Sequence, residues 1–374
     1  VNDVTVTKRL LGNVFMTADI VSGLQARMSV GIDNQIGKRT TYLPRTTLYG
    51  SQVDGQASIN ENNKLDKLFN ATLNYKKTLF DDKHSLDALV GYEYQEFMGD
   101  GFSAGSSGFF TDAFLYNSLG AGEVAGPSTV GSYKDKNKLA SYFGRVNYTI
   151  AEKYYLTLTG RIDGSTKFGA NNKYAFFPSA AFSWRVIEEP FMKQQSYVSD
   201  LKLRLSYGST GNQNIGQNAL AFYQADWHGY VYGNNAISTG AYLSQIANPN
   251  LKWETTTGAN IGLDFGLLNN RITGSVDYYQ KVVKDLLAFR RLPSFMQVQT
   301  VADNIGKTQS KGWEFALHSQ NLEGAFRWNT DITFTRFVDT WKERNPDVVL
   351  ALYEKNSDPI RARYGYLTDG LLQV

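Results

Sequence analysis

The chain of 374 residues has no cysteine and only three histidines. Disulfide, thiol and cysteine-zinc chemistry are thereby excluded. His84, His228 and His318 have no Glu or His at metal-ligand spacing, so neither a metal nor a cofactor is expected. An excess of one charge is also missing. With 38 Lys and Arg against 35 Asp and Glu, the formal charge is +3, and it is not gathered into runs that would call for nucleic acid. No apolar stretch approaches the roughly 18 residues of a transmembrane helix. The mean hydropathy of −0.35 looks soluble. A β-barrel, however, dilutes its lipid face with a polar interior and crosses membranes at such values.

What the chain has is alternation. Leu24, Ala26, Met28, Val30 and Ile32 interleave with Gln25, Arg27, Ser29, Gly31 and Asp33. Period two over ten residues marks a strand with one apolar face. The same pattern covers Phe69–Tyr75, Leu86–Tyr94, Tyr154–Asp163, Leu201–Tyr207, Trp253–Phe265, Ile272–Tyr278, Trp313–Leu317 and Phe326–Phe334. Soluble strands run about five to six residues, whereas a tilted membrane-crossing strand needs about nine to eleven.

The connections alternate as well. Tight turns are expected at Val21–Gly23, Asp81–Lys83, Ala151–Lys153, Leu268–Asn270 and Asn321–Glu323, with an intermediate one at Glu188–Ser199. Long loops are expected at Ile36–Leu65, Asp100–Asn137, Gly164–Asn172, Gly208–Asn250, Ala288–Lys307 and after Val338. Short turns on one rim and long loops on the other predict an all-β, antiparallel up-and-down transmembrane β-barrel of about twelve strands.

Catalysis finds little support. Gly306-Lys307-Thr308 imitates the end of a phosphate loop, but Val301 stands where the upstream glycine belongs. Gly99–Gly105 reads as a flexible external loop, and Asp81-Asp82 and Glu188-Glu189 as solvated turn charges. Binding has better material. Tyr223, Asp226, Trp227, Tyr230 and Tyr232 place rings and a carboxylate in one external loop, a set suited to stacking on sugars or peptide side chains. Arg161, Asp163, Arg185, Arg204, Glu254, Asp264 and Asp277 take the parity opposite the apolar set and are expected to line the lumen. Trp184 and Trp253 suit interfacial girdles, and Phe177-Pro178 suits strand entry at the loop end.

Four stretches carry a family resemblance: Arg161-Ile-Asp-Gly-Ser-Thr-Lys-Phe-Gly169; Phe177-Pro-Ser179 with Trp184-Arg185; Asn248-Pro-Asn-Leu-Lys-Trp-Glu254; and Gly262-Leu-Asp-Phe265 leading through Asn270-Arg271 to Asp277-Tyr-Tyr279 and Asp285-Leu-Leu287. Asn304-Ile-Gly306 with Lys311-Gly-Trp-Glu314, and Tyr364-Gly-Tyr366 with Asp369-Gly370, continue the series. In this order they resemble the barrel of SusC/RagA-type TonB-linked outer-membrane transporters. The resemblance implies a 22-stranded barrel holding an N-terminal plug, energy from the TonB–ExbB–ExbD complex and a SusD-like surface lipoprotein as partner. It also implies import of oligosaccharides or peptides, in the outer membrane of a Gram-negative bacterium. Val1 opens without an export signal and Leu371–Val374 completes no further strand, so residues 1–374 are expected to be part of the barrel domain, with the plug and last strands absent. Two other classes stay open at this stage: a passive, porin-like closed barrel, and a surface glycan-binding or adhesin β protein outside the lipid.

Overall fold

The computed structural model describes residues 1–80, 83–124, 129–232 and 236–365, with only the backbone of 226–232 and 236–239. In chain order the strands are β1 (Asn2–Val21), β2 (Leu24–Leu43), β3 (Gln56–Leu79), β4 (His84–Phe109), β5 (Gly122–Val124), β6 (Val130–Ile150), β7 (Tyr154–Ser165), β8 (Tyr174–Arg185) and β9 (Val198–Asn212). Then follow β10 (Phe222–Tyr232), β11 (Ala236–Gln245), β12 (Glu254–Leu267), β13 (Ile272–Lys284), β14 (Leu287–Arg291), β15 (Thr300–Asn304), β16 (Lys307–Leu322) and β17 (Trp328–Glu343). Twelve of them form one wall in the order β1-β2-β3-β4-β6-β7-β8-β9-β12-β13-β16-β17, with β5 attached to β4. Every pairing in this wall is antiparallel. β10–β11 and β14–β15 are separate hairpins inside long connections.

The register carries the alternation from strand to strand. Tyr92 pairs with Tyr142, Tyr142 with Ile162 and Ile162 with Phe176, while Glu93, Ser141, Asp163 and Ala175 fall together on the other face. On the apolar face Val14, Val30, Val90, Tyr142, Leu158, Tyr207, Ile261, Trp313 and Phe334 are all exposed. An apolar surface this wide is intolerable in water and ordinary against hydrocarbon. β7 and β8 have 12 residues each. At ~3.3 Å per residue and a tilt of about 45° they rise about 28 Å, close to one hydrocarbon thickness. β3 and β4, with 24 and 26 residues, stand about twice as high. The rim at the loop end is therefore uneven.

Those long strands correct three expectations. Ile36–Leu65 and Asp100–Asn137 are mostly ladder, leaving connections at 44–55 and 110–129, and Gly99–Gly105 lies within β4. Past the apolar band both faces are polar, as in Asn60-Glu-Asn-Asn-Lys64, so hydrophobic period two vanishes while backbone pairing continues. The tight turns at 22–23, 151–153 and 268–271 fall where expected; the one after β16 is longer, at 323–327, and Asp81 and Asp82 lie outside the described residues. Among the described residues, apart from an isolated bridge between Thr340 and Pro359, β1 and β17 pair on one side only, so the twelve strands form an open wall and not a small closed barrel.

At the turn between β6 and β7, Lys153 N–H donates to the Ile150 carbonyl at 2.9 Å. Both central residues, Ala151 (φ 52°) and Glu152 (φ 56°), are left-handed. This type I′ geometry favours Asn-Gly. The double variant Ala151→Asn/Glu152→Gly is expected to raise stability by about 1 kcal/mol, read as a higher unfolding midpoint in detergent. An unchanged or lower midpoint would remove the strain argument.

The loop end of β2–β4 closes around Tyr42, Ala57 and Phe109, packed by Leu115 and Tyr116. The Tyr42 hydroxyl donates to Asp112 Oδ1 at 2.7 Å, and the backbone N–H and Nε of Arg45 donate to the same atom at 3.3 Å. The Tyr42 bond, then Arg45, holds the Asp112 carboxyl below its ordinary value of 3.8 against the opposing effect of burial. A lowered folded-state pKa contributes stability that is present above the unfolded value and lost as pH falls through the folded one. Hydrogen-exchange protection of residues 110–121 should therefore be flat at neutral pH and fall below about pH 4. In Asp112→Asn the acid-dependent step should disappear; its persistence would assign it to another group.

Candidate binding face

The seven charged residues expected inside the barrel do share the polar face. Arg161 of β7 donates to Asp163 Oδ1 (2.7 Å) and to Glu93 Oε1 of β4 (3.1 Å), with its guanidinium 5.4 Å from the Phe143 ring centroid. Arg204 of β9 forks onto both oxygens of Asp264 on β12 (2.9 and 2.8 Å) and reaches Asp277 on β13 at 2.9 Å. Arg185 pairs with Glu188 at 3.0 Å. Glu254 accepts from Asn212 Nδ2 (3.0 Å) and from the Leu287 N–H (3.1 Å), tying the start of β12 to β14. These charges staple neighbouring strands, and because each triad sets one arginine against two carboxylates the face keeps a negative excess.

Between them the polar face holds an open recess of about 570 Å³. Arg161, Asp163, Thr159, Ser179, Thr210 and Lys281 line it, with bare backbone at Gly208 and Gly258. Lys281 is exposed, lies 5.3 Å from the Tyr279 ring centroid and has no acidic partner among the described residues. Sequence parity places Lys281 on this face, but nothing local distinguishes it from the other lysines. The recess thus offers hydroxyls, peptide groups and one available ammonium: the surface of a polar ligand or of a polypeptide. Among the described residues no cluster of three metal-ligating side chains occurs.

The recess owes its shape to Pro178. Proline has no N–H to give, and the β8–β9 ladder begins only at Ser179, so the two strands part on the loop side of that point. Phe177 turns into the gap. A Cβ on Gly211 would meet the Phe177 ring at 2.1 Å, so this position of β9 admits no side chain. Phe177 then joins Phe168, Leu251, Trp253 and Ala302 in a buried cluster, with Leu139, Ile215 and Leu287 packed against it. Trp253 lies 5.0 Å from Phe168 and 5.6 Å from Phe177 between ring centroids, and its Nε1 donates to the Lys173 carbonyl (3.1 Å). This corrects the girdle expectation for Trp253: it is only 6% exposed and anchors loops. Trp184 does sit at the turn end on the apolar face, stacked on Tyr154, with Nε1 donating to Glu189 Oε1 (3.1 Å).

The stretches that carry the family resemblance meet in this cluster. Asn304 pairs with Lys252 as a strand would, accepting its N–H (2.8 Å) and donating to its carbonyl (2.7 Å), and also donates to the Asp285 carbonyl (2.9 Å). Asn248 donates to the Ala302 carbonyl (2.8 Å) and accepts from the Asn250 N–H (3.0 Å). Residues from five distant blocks thus hold the loops against the mouth of the wall.

Of the external set, Tyr223 is 73% exposed. The side chains of Asp226, Trp227, Tyr230 and Tyr232, and of His228, lie outside the described residues, although their backbone forms β10, paired with β11. Tyr366, Asp369 and Gly370 lie outside them as well.

Residues 17–366 match the family model for the TonB dependent receptor-like β-barrel. The chain is 38% identical over 329 residues to TonB-dependent receptor P3 of Formosa agariphila, covering 87% of this chain and 32% of that protein. It is 32% identical over 342 residues to TonB-dependent receptor SusC of Bacteroides thetaiotaomicron, covering 89% and 33%. The solved RagAB peptide transporter superposes with a TM-score of 0.81 at 26% identity, over 92% of this chain and 38% of that one. The ferric citrate transporter FecA matches at 8% identity and a TM-score of 0.53, a likeness of fold alone. The chain spans about a third of the length of these curated relatives.

Proposed function

Since this chain belongs to the TonB-dependent receptor-like β-barrel family, in its SusC/RagA branch, we propose that it forms part of the wall of an energy-coupled outer-membrane importer. The short turns face the periplasm and the long loops face outward, as in bacterial outer-membrane barrels generally. Arg161, Asp163, Arg185, Arg204, Glu254, Asp264 and Asp277 then line the lumen. The observation that carries this reading is the polar face itself: charges held by one another across strands, a recess between them, and loops pinned above it by the Trp253 cluster. Such a surface passes or holds a large polar solute without trapping it.

The cargo class is oligosaccharide or peptide, and the partners are a SusD-like lipoprotein at the loop end and TonB–ExbB–ExbD through a plug inside the wall. The likeness to SusC and to the RagAB peptide transporter supports both. Tyr223, Asp226, Trp227, Tyr230 and Tyr232 of the β10–β11 hairpin are the proposed first contacts for sugar faces or peptide side chains. Uptake of labelled oligosaccharides and peptides should vanish in cells lacking the gene and equally in cells with TonB inactivated. Uptake that survives loss of TonB would instead mark a passive pore.

A further inference from the structure

We propose that the lipid-facing wall carries a binding site for a phosphorylated glycolipid of the outer leaflet, where β3, β4 and β6 leave the apolar band. The alternation that fills this face with apolar side chains gives way to charge there. Lys67 of β3, Glu96 of β4 and Lys138 of β6 are register partners, and they share the parity of Phe69, Tyr94 and Tyr142. Lys136 shares it too. Lys136 Nζ lies 2.9 Å from Glu96 Oε2, Lys138 Nζ 3.8 Å from the same atom, and Lys67 Nζ 3.9 Å from Oε1. The Glu96 side chain is 13% exposed, whereas those of the lysines are about half exposed. One carboxylate balances one ammonium, so the cluster keeps two positive charges at the boundary of the membrane.

A second observation lies deeper on the same face. A shallow apolar groove of about 570 Å³ runs across β4 to β9, floored by Gly144, Gly160 and Ala180 and walled by Val90, Phe176 and Tyr207. Gly144 follows Lys138 on β6 by six residues, about 20 Å along the strand and about 14 Å in depth at a tilt of about 45°, within reach of a fatty acyl chain. Tyr92 and Tyr142, with ring centroids 5.0 Å apart, stand between the groove and the lysines, where aromatic rings favour the headgroup level. Anion-binding charge above and an acyl-sized groove below match one amphiphile bearing phosphate on its headgroup. A zwitterionic phospholipid brings its own ammonium, which the three lysines repel. Because the loop end is the external end under the proposed topology, the matching anionic lipid is the glycolipid of the outer leaflet.

The test uses the full-length protein extracted from outer membranes in mild detergent, with bound lipid identified and titrated by native mass spectrometry. The probes are a phosphorylated lipid-A-type glycolipid, its dephosphorylated form and phosphatidylglycerol. Each lysine contributes about fivefold to affinity, so Lys67→Gln/Lys136→Gln/Lys138→Gln should weaken the phosphorylated glycolipid about a hundredfold. Glu96→Gln should strengthen it, and Gly144→Leu, which fills the groove, should weaken both glycolipids while leaving the lysines intact. Lys8→Gln/Lys38→Gln, on the same face along β1 and β2, should change little. Equal affinity of wild type and triple variant, equal loss in the Lys8/Lys38 control, equal binding of phosphatidylglycerol, or weakening by Glu96→Gln would each overturn the site. Labelling of Gly120→Cys on intact cells checks the external topology, and TonB-dependent uptake is scored separately, so failure here leaves the transport reading standing.

Discussion

Trp253→Ala is expected to destabilise the loop end of the wall by about 3 to 5 kcal/mol, the range for deleting a buried aromatic from a packed cluster. The indole fills the space between Phe168 and Phe177, and its N–H satisfies the Lys173 carbonyl. Nothing nearby can replace either contribution, since Leu251 and Ala302 are already buried. The strand ladders should remain, because Trp253 precedes β12 and belongs to no pairing of the wall. Limited proteolysis should therefore cut at 166–173, 246–253 and the β14–β15 hairpin in the variant but not in wild type, with strand content unchanged. If those segments stay resistant, the cluster does not hold the loops.

Arg204 governs the second large effect. Its guanidinium joins three consecutive wall strands by holding Asp264 and Asp277 together. Hydrogen bonds to charged groups contribute about 1.5 to 3 kcal/mol each when sheltered. These side chains are about a third exposed or less, so solvent screening brings the loss in Arg204→Met down to about 2 kcal/mol. Much of that is the repulsion of two carboxylates left side by side. Adding Asp264→Asn and Asp277→Asn to Arg204→Met should restore most of the stability, which a packing role for the arginine would not allow. The unfolding midpoint in detergent reads both outcomes.

The faces of the wall were legible in the sequence because lipid imposes period two wherever it touches a strand. β1 is less plain, since Leu11 and Phe15 occupy the polar parity and Phe15 there lies under Arg27, 4.4 Å from its ring centroid. Parity alone placed Arg161, Arg204 and their neighbours on one face. Their partners were not legible, because Arg204 reaches Asp277 across an intervening strand and only the register brings them together. The Trp253 cluster escaped for a related reason. Phe168, Leu251 and Leu287 stand singly in polar connections, and an indole at a strand entrance fits a membrane girdle as well as a buried core. Hydrophobic pattern reports the solvent around a segment; it says nothing of loops folding back onto one another.

The two inserted hairpins differ in how they are attached. β14–β15 is bound in through Leu287, Ala302 and Asn304, so altering it disturbs the mouth of the wall. β10–β11 leaves after Asn212 and returns before Glu254, and those two residues pair directly with each other. Within that connection Ile215, Asn248, Leu251 and Trp253 remain as anchors, and the hairpin alone, 222–245, is a cassette: its length and composition can change without breaking one ladder hydrogen bond of the wall. Under the proposed topology, selection can rewrite the outward hairpin while the wall that carries it stays fixed.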